Sequence, residues 1–253
     1  MLDILKVLFC VPFLLYSCYT DIKTRRVTNK LWLVMLSGSA FFVLYDIVTK
    51  GTPYIIFLFL SAGSIFVLVY ILFQIGTFGG ADAKSLIVLS IILPAYPIIQ
   101  AFGYDFPLNK PLIDLFSFGI LGNAVLLTVV VPVSLAAYNI FRMGFKIDYP
   151  LYMFIGYKCR ISDLDDKHIK LIQSYEEENG KIIVRFKRGG VDINEEVISE
   201  LRAFSDKGLI KDDVWVTPGL PFMIPITLGF FVAVFYGDVI TELTKYLIYM
   251  RMN

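Results

Sequence analysis

Pro53-Tyr-Ile-Ile-Phe-Leu-Phe-Leu-Ser-Ala-Gly-Ser-Ile-Phe-Val-Leu-Val-Tyr-Ile-Leu-Phe-Gln-Ile-Gly76 runs without one charged residue. A helix needs roughly 20 mostly apolar residues to cross bilayer hydrocarbon. This stretch is long enough by itself, and it decides the class of the fold. Outward from it, five more segments read the same way. They are about Leu2 to Thr20, Leu31 to about Val48, near Ala83 to about Phe102, about Ile113 to Phe141, and Pro218 to about Ile240. Lys6, near the start of the first, can snorkel to the interface. Pro94 and Pro97 interrupt the fourth. Pro218 suits the first turn of the last.

Composition agrees. Hydrophobic residues are 57% of the 253, charged residues 18%, and mean hydropathy is +0.70. Soluble domains are nearer a quarter charged. A net charge of +1 makes no case for nucleic acid; the partner that composition implies is the lipid bilayer. Cys10, Cys18 and Cys159 form no C-x-x-C pair, which argues against a zinc or thioredoxin-type site. The first segment begins with Asp3, lacks a basic n-region and reads as a retained helix.

The charges concentrate in residues 142–216. There Lys181–Lys187 alternates like a strand, Arg188-Gly189-Gly190 signals a turn, and Val191–Ile193 suits a return strand. Asn194 is placed to cap a helix from Glu195 to about Ser205, and Val214-Trp215-Val216 reads as a short strand. The expected fold is an all-α polytopic membrane protein. Six transmembrane helices carry a small α+β cytoplasmic domain between helices five and six. The divisions are 1–141, 142–216 and 217–253.

Basic residues set the orientation. The loop after the first segment holds Lys23, Arg25, Arg26 and Lys30, whereas the next loop has only Lys50. The N-terminus is therefore expected outside, with the 77–84 loop and residues 142–216 in the cytoplasm. Asp21 and Asp82 then fall on the same side at similar depth. A carboxylate at a membrane boundary is costly enough to need a reason.

Two facing carboxylates share a proton, one apparent pKa falling and the other rising. The ionised member can activate water and the protonated member can donate to a carbonyl oxygen, which is aspartic-peptidase logic. It needs no metal, cofactor or nucleophilic Ser or Cys. Gly79 and Gly80 permit close backbone approach. The dipole of helix four and Lys84 would favour ionised Asp82. The plainer reading is that Asp opens helices as a cap and that Asp21 is a solvated helix end. On that reading the protein is a channel, transporter or assembly scaffold.

Other groups carry less. Arg25 and Arg26 are first of all orientation signals. His168 reads as a surface residue, and Asp163, Asp165 and Asp166 lack the spacing of a calcium loop. Asn123 and Gln100 suit hydrogen bonds between helices.

Asp21-Ile-Lys-Thr-Arg-Arg-Val-Thr-Asn29 resembles the first aspartate motif of the type IV prepilin peptidases. Gly79-Gly80-Ala81-Asp82-Ala83-Lys84 resembles their GxGD signature, and Val214–Ile226 resembles the entry to the last helix of the archaeal preflagellin peptidases. Together these elements span nearly the whole chain. The resemblance implies a membrane aspartic endopeptidase that removes short, positively charged leaders from archaellin or pilin-like precursors at the cytoplasmic face. Asp21 and Asp82 match the catalytic aspartates. Gly79, Gly80, Ala81, Lys84, Arg25, Arg26 and Asn29 match the residues around them. Ala81 departs from the signature's second glycine, and a positive φ there would be disfavoured. The paired cysteines of the bacterial bifunctional enzymes are absent, which implies peptidase activity without methylation. Presenilin-type proteases share GxGD, but there a Tyr directly precedes the other aspartate, where Thr20 stands here.

Overall fold

The computed structural model describes residues 2–101, 103–109, 111–144, 149–164, 169–178, 181–219 and 221–252. In chain order the described elements begin with α1 (Leu2–Thr24), α2 (Asn29–Lys50), α3 (Thr52–Gln74) and α4 (Gly80–Ile92). Next come β1 (Ile99–Ala101), β2 (Tyr104–Phe106), α5 (Phe116–Thr128), α6 (Val130–Met143), β3 (Tyr157–Arg160), β4 (Ile169–Glu178) and β5 (Lys181–Asp192). The last are α7 (Glu195–Asp206), β6 (Asp213–Pro218), α8 (Met223–Phe235) and α9 (Val239–Met252). Two compact units divide them, Met1–Thr128 with Pro221–Asn253, and Val129–Leu220.

Among the described residues four helical stretches are long and apolar enough to cross a membrane: Leu2–Thr24, Asn29–Lys50, Thr52–Gln74 and Phe116–Met143. Met223–Phe235 with Val239–Met252, bent by 65°, makes up to a fifth. In lipid only structures that satisfy their own backbone polar groups persist, which is why these apolar runs are helical. The fourth predicted segment differs. Its helix α4 has 13 residues, short of the roughly 20 that a full crossing takes. Pro94 and Pro97 supply no N–H to continue it. The chain turns instead into the β1–β2 hairpin, which holds Gln100 exposed rather than between helices.

The core of the first unit forms around α4. Leu86, Leu89 and Ile92 are completely buried, as are Ser85 and Ser90. α2, α3, α5 and α8 all pack against it. Lys84 alone on this helix is exposed, so most of its surface faces protein. α5 and α8 approach so closely that a Cβ on Gly229 would lie 2.6 Å from the Ile120 carbonyl oxygen and 2.9 Å from the Ala124 nitrogen. Small residues permit this spacing between membrane helices. Asn123 works between elements as expected: its Nδ2 donates to Gly237 O at 2.9 Å and its Oδ1 accepts Val239 N–H at 3.0 Å.

Lys6 does not snorkel. It is 2% exposed and pairs with Asp46 of α2, itself 1% exposed. Asp46 also takes Lys50 at 2.9 Å, and both ammonium groups lie over the Tyr54 ring. A buried cation with its counter-ion beside it has no cause to reach for water.

In the second unit the strand order is β3-β6-β4-β5, all antiparallel. α7 starts at the predicted cap, the Asn194 side chain accepting Val197 N–H at 2.8 Å. Its Ile198 and Leu201 pack with Cys159, Leu171, Val214 and Val216. The expected turn at 188–190 is not one. β5 runs through it, and the register against β4 shifts between Leu171 and Gln173, with Gly190 at φ +75. A glycine at positive φ is what a bulge, like a turn, demands, so the signal was shared by two structures. Pro218 ends β6 rather than opening a helix. Asp165, Asp166 and His168 lie outside the described residues.

Candidate active site

Asp21 lies inside α1, one turn before its end, because the helix runs to Thr24. Arg25 closes it in the left-handed region at φ +55, its N–H reaching Asp21 O at 3.0 Å. Buried residues Val7, Cys10, Leu14 and Ser17 recur at helical spacing along α1, and Asp21 falls four residues beyond Ser17 on that face. Its Oδ2 accepts the Met223 N–H at 3.2 Å. Met223 is the first residue of α8, and a helix N-terminus is a favourable seat for a carboxylate.

Asp82 is the third residue of α4, just ahead of its apolar run. It is not the cap. Gly79 occupies that position, and the Asp82 Oδ2 accepts the Gly79 N–H at 3.0 Å, the reciprocal half of a capping box. At 8% exposure the carboxyl has little water. Burial pushes it up to about 6; the Gly79 N–H opposes this, and the Asp21 charge adds to the rise. Burial thus works against the ionised form that the dipole and Lys84 were expected to favour. Lys84 donates elsewhere, to Asn29 Oδ1 at 2.6 Å.

A side chain at Gly79 would displace the Asp82 carboxylate. A Cβ there would stand 2.9 Å from Asp82 Oδ2. Gly80 is under no such constraint, since its Cβ would meet Phe73 at an ordinary 3.8 Å. Ala81 sits in the first turn of α4 without positive φ, so the departure from the glycine signature costs nothing in backbone conformation. Arg26 is exposed. The Nε and Nη1 of Arg25 are buried with no hydrogen-bond partner.

Five residues near the aspartates make contacts that the sequence does not reveal. Cys18, one turn before Asp21, donates to Thr227 Oγ1 at 3.0 Å and Met223 O at 3.2 Å. Phe222 meets Phe78 edge-on at 4.9 Å between centroids. The spacing of Cys18 and Asp21 on one helix face was readable; the hydrogen bonds to Met223 and Thr227 join residues some 200 positions apart, and Phe78 and Phe222 are also distant in sequence, so they left no local pattern.

A model of the type IV leader peptidase family matches residues 8–133, which hold both aspartates. A model of the archaeal peptidase A24 C-terminus, type II, matches 148–239. The preflagellin peptidase of Methanocaldococcus jannaschii is 26% identical over 239 residues, 90% of this chain and 92% of the relative. The preflagellin peptidase of Methanococcus voltae is 26% identical over 244 residues, 91% and 94% of the two chains.

Proposed function

The chain belongs to the type IV leader peptidase family, and on that premise we propose that it cleaves leaders from preflagellin or pilin-like precursors with Asp21 and Asp82 as the catalytic pair. It is a membrane protease, which sets aside the channel, transporter and scaffold alternative. The observation that carries the two-aspartate reading is the electrostatic coupling. Asp82 is buried, pushed up to about 6, and feels the charge of Asp21. A buried carboxyl group biased toward its protonated form beside a second aspartate can serve as proton donor in acid–base hydrolysis.

In the proposed reaction Asp21 takes a proton from water as its oxygen attacks the scissile carbonyl carbon. Asp82 gives its proton to the carbonyl oxygen, leaving a gem-diol. The proton held by Asp21 then passes to the leaving nitrogen as the C–N bond breaks, and Asp82 recovers a proton from the collapsing diol. The two groups return to their starting states. Six crossings with α4 as the short one, the N-terminus outside and both aspartates at the cytoplasmic face complete the reading. The basic run Lys23–Lys30 supports that orientation. A charged leader would lie in the cytoplasm, with the apolar helix that follows it in the bilayer.

The test incubates purified protein with a panel of preflagellin and pilin precursors and maps each cut by mass spectrometry. One cut at the leader junction is expected, lost in Asp21→Asn and in Asp82→Asn and unaffected by EDTA. Cleavage surviving in either folded variant overturns the reading.

A further inference from the structure

The start of α8 touches both aspartate-bearing segments. Its sequence is Pro221-Phe222-Met223-Ile224-Pro225. A helix N-terminus leaves its first N–H groups without partners inside the helix, and here the two prolines thin them out. Pro225 has no N–H, and Ile224 N–H is taken by Pro221 O at 3.2 Å. Met223 N–H goes to Asp21 Oδ2. The same residue takes Cys18 Sγ on its carbonyl, so α1 is tied to Met223 at two points one turn apart.

Phe222 makes the other connection. Its ring packs on Phe78, which immediately precedes Gly79, the residue whose N–H the Asp82 carboxylate accepts. Phe78 is 7% exposed and Met223 completely buried, so neither end of this link is loose. α8 itself is seated on α5, through the Gly229 approach and the Phe116–Phe230 contact at 5.6 Å. The link thus has a firm base and two arms.

We infer that Phe222 and Met223 are positioning residues that hold the Asp21 and Asp82 segments at one separation. The inference rests on the two-aspartate reading. Neither residue exchanges a proton. Met223 orients Asp21 through its main chain, and Phe222 orients Asp82 through Phe78 and the Gly79 turn. This gives residues from outside the 8–133 match a part in a site whose carboxyl groups lie within it.

The experiment measures precursor cleavage by the full chain in detergent for Phe222→Ala, Phe222→Tyr, Met223→Pro and the Phe78→Ala/Phe222→Ala double variant, with Asp21→Asn and Asp82→Asn in parallel. Phe222→Ala is expected to lower kcat on the order of 10- to 100-fold, the scale of a small misplacement of reacting groups, with KM within about twofold. Phe222→Tyr keeps the ring and restores kcat to within a few-fold. The double variant is no worse than its poorer single variant, because both remove one contact. Met223→Pro removes the N–H that Asp21 Oδ2 accepts and lowers kcat similarly, and melting curves in detergent on every variant separate a lost fold from a lost position. If the Asn variants still cleave, the two-aspartate reading fails. If they are inactive while Phe222→Ala and Met223→Pro keep wild-type kcat, or change KM alone, this inference is overturned and the two-aspartate reading stands.

Discussion

Asp82 Oδ2 receives the Gly79 N–H at 3.0 Å, and the Cβ that any other residue would place at position 79 would stand 2.9 Å from that same oxygen. The hydrogen bond and the missing side chain are two sides of one arrangement. A side chain at position 79 would crowd the same oxygen that its own N–H holds.

Gly79→Ala therefore pushes the carboxyl out of place, and its kcat is expected to fall on the order of 100-fold. Gly80→Ala meets only Phe73 at 3.8 Å and should stay within a few-fold of wild type. Cleavage kinetics on the two purified variants check the contrast; equal effects would refute the spatial argument.

Stability should depend on pH through Asp82. Its carboxyl is raised in the fold to about 6, from about 3.9 in an unfolded chain. The fold thus prefers the protonated form. That contribution is fully present below about pH 4 and is lost as pH rises through about 6. Above it, the buried ionised carboxylate costs on the order of 3 kcal/mol. Asp82→Asn keeps an acceptor for Gly79 and has nothing to ionise, so it should melt several degrees above wild type at pH 8 and coincide with it at pH 4. A gap that widens towards acid would reverse the sign and refute this.

Lys84 and Asn29 sit in the two motifs but bond to each other at 2.6 Å on an exposed surface. Exposed pairs contribute roughly 0–1 kcal/mol. Lys84→Met and Asn29→Ala should each leave kcat within a few-fold, and the double variant should equal either single one. A loss of cleavage beyond 10-fold in either would give the residue a part in the chemistry.

Removing one partner of a buried ion pair costs about 3–5 kcal/mol, while replacing both with apolar residues is often neutral. Asp46→Leu strands Lys6 at 2% exposure, whereas Lys6→Met leaves Asp46 with Lys50. Thermal melts in detergent are expected to rank Asp46→Leu well below Lys6→Met, with Lys6→Met/Asp46→Leu recovering most of the loss. Equal single variants would mean that Lys50 does not support Asp46.

The apolar runs of α1, α2 and α3 were legible because lipid leaves a long uncharged stretch no alternative to a helix. Both aspartates were legible because charge is scarce there. The end of α4 was misplaced because apolar content continues past Pro94 and Pro97, while the backbone donors that a helix needs do not. Lys84 was misassigned because proximity in sequence to Asp82 suggested a partner, and tertiary packing supplied Asn29 instead. Phe222 and Met223 carry their meaning only in three dimensions.

The Lys6–Asp46 pair also bears on how the protein is made. Lys6 emerges from the ribosome forty residues before its counter-ion, so α1 entering the bilayer alone would carry an uncompensated ammonium group. Entry of α1 and α2 together, as a hairpin with the charges already joined, avoids that state. The order of synthesis thus becomes part of the physics that allows a charged residue to lie between two membrane helices.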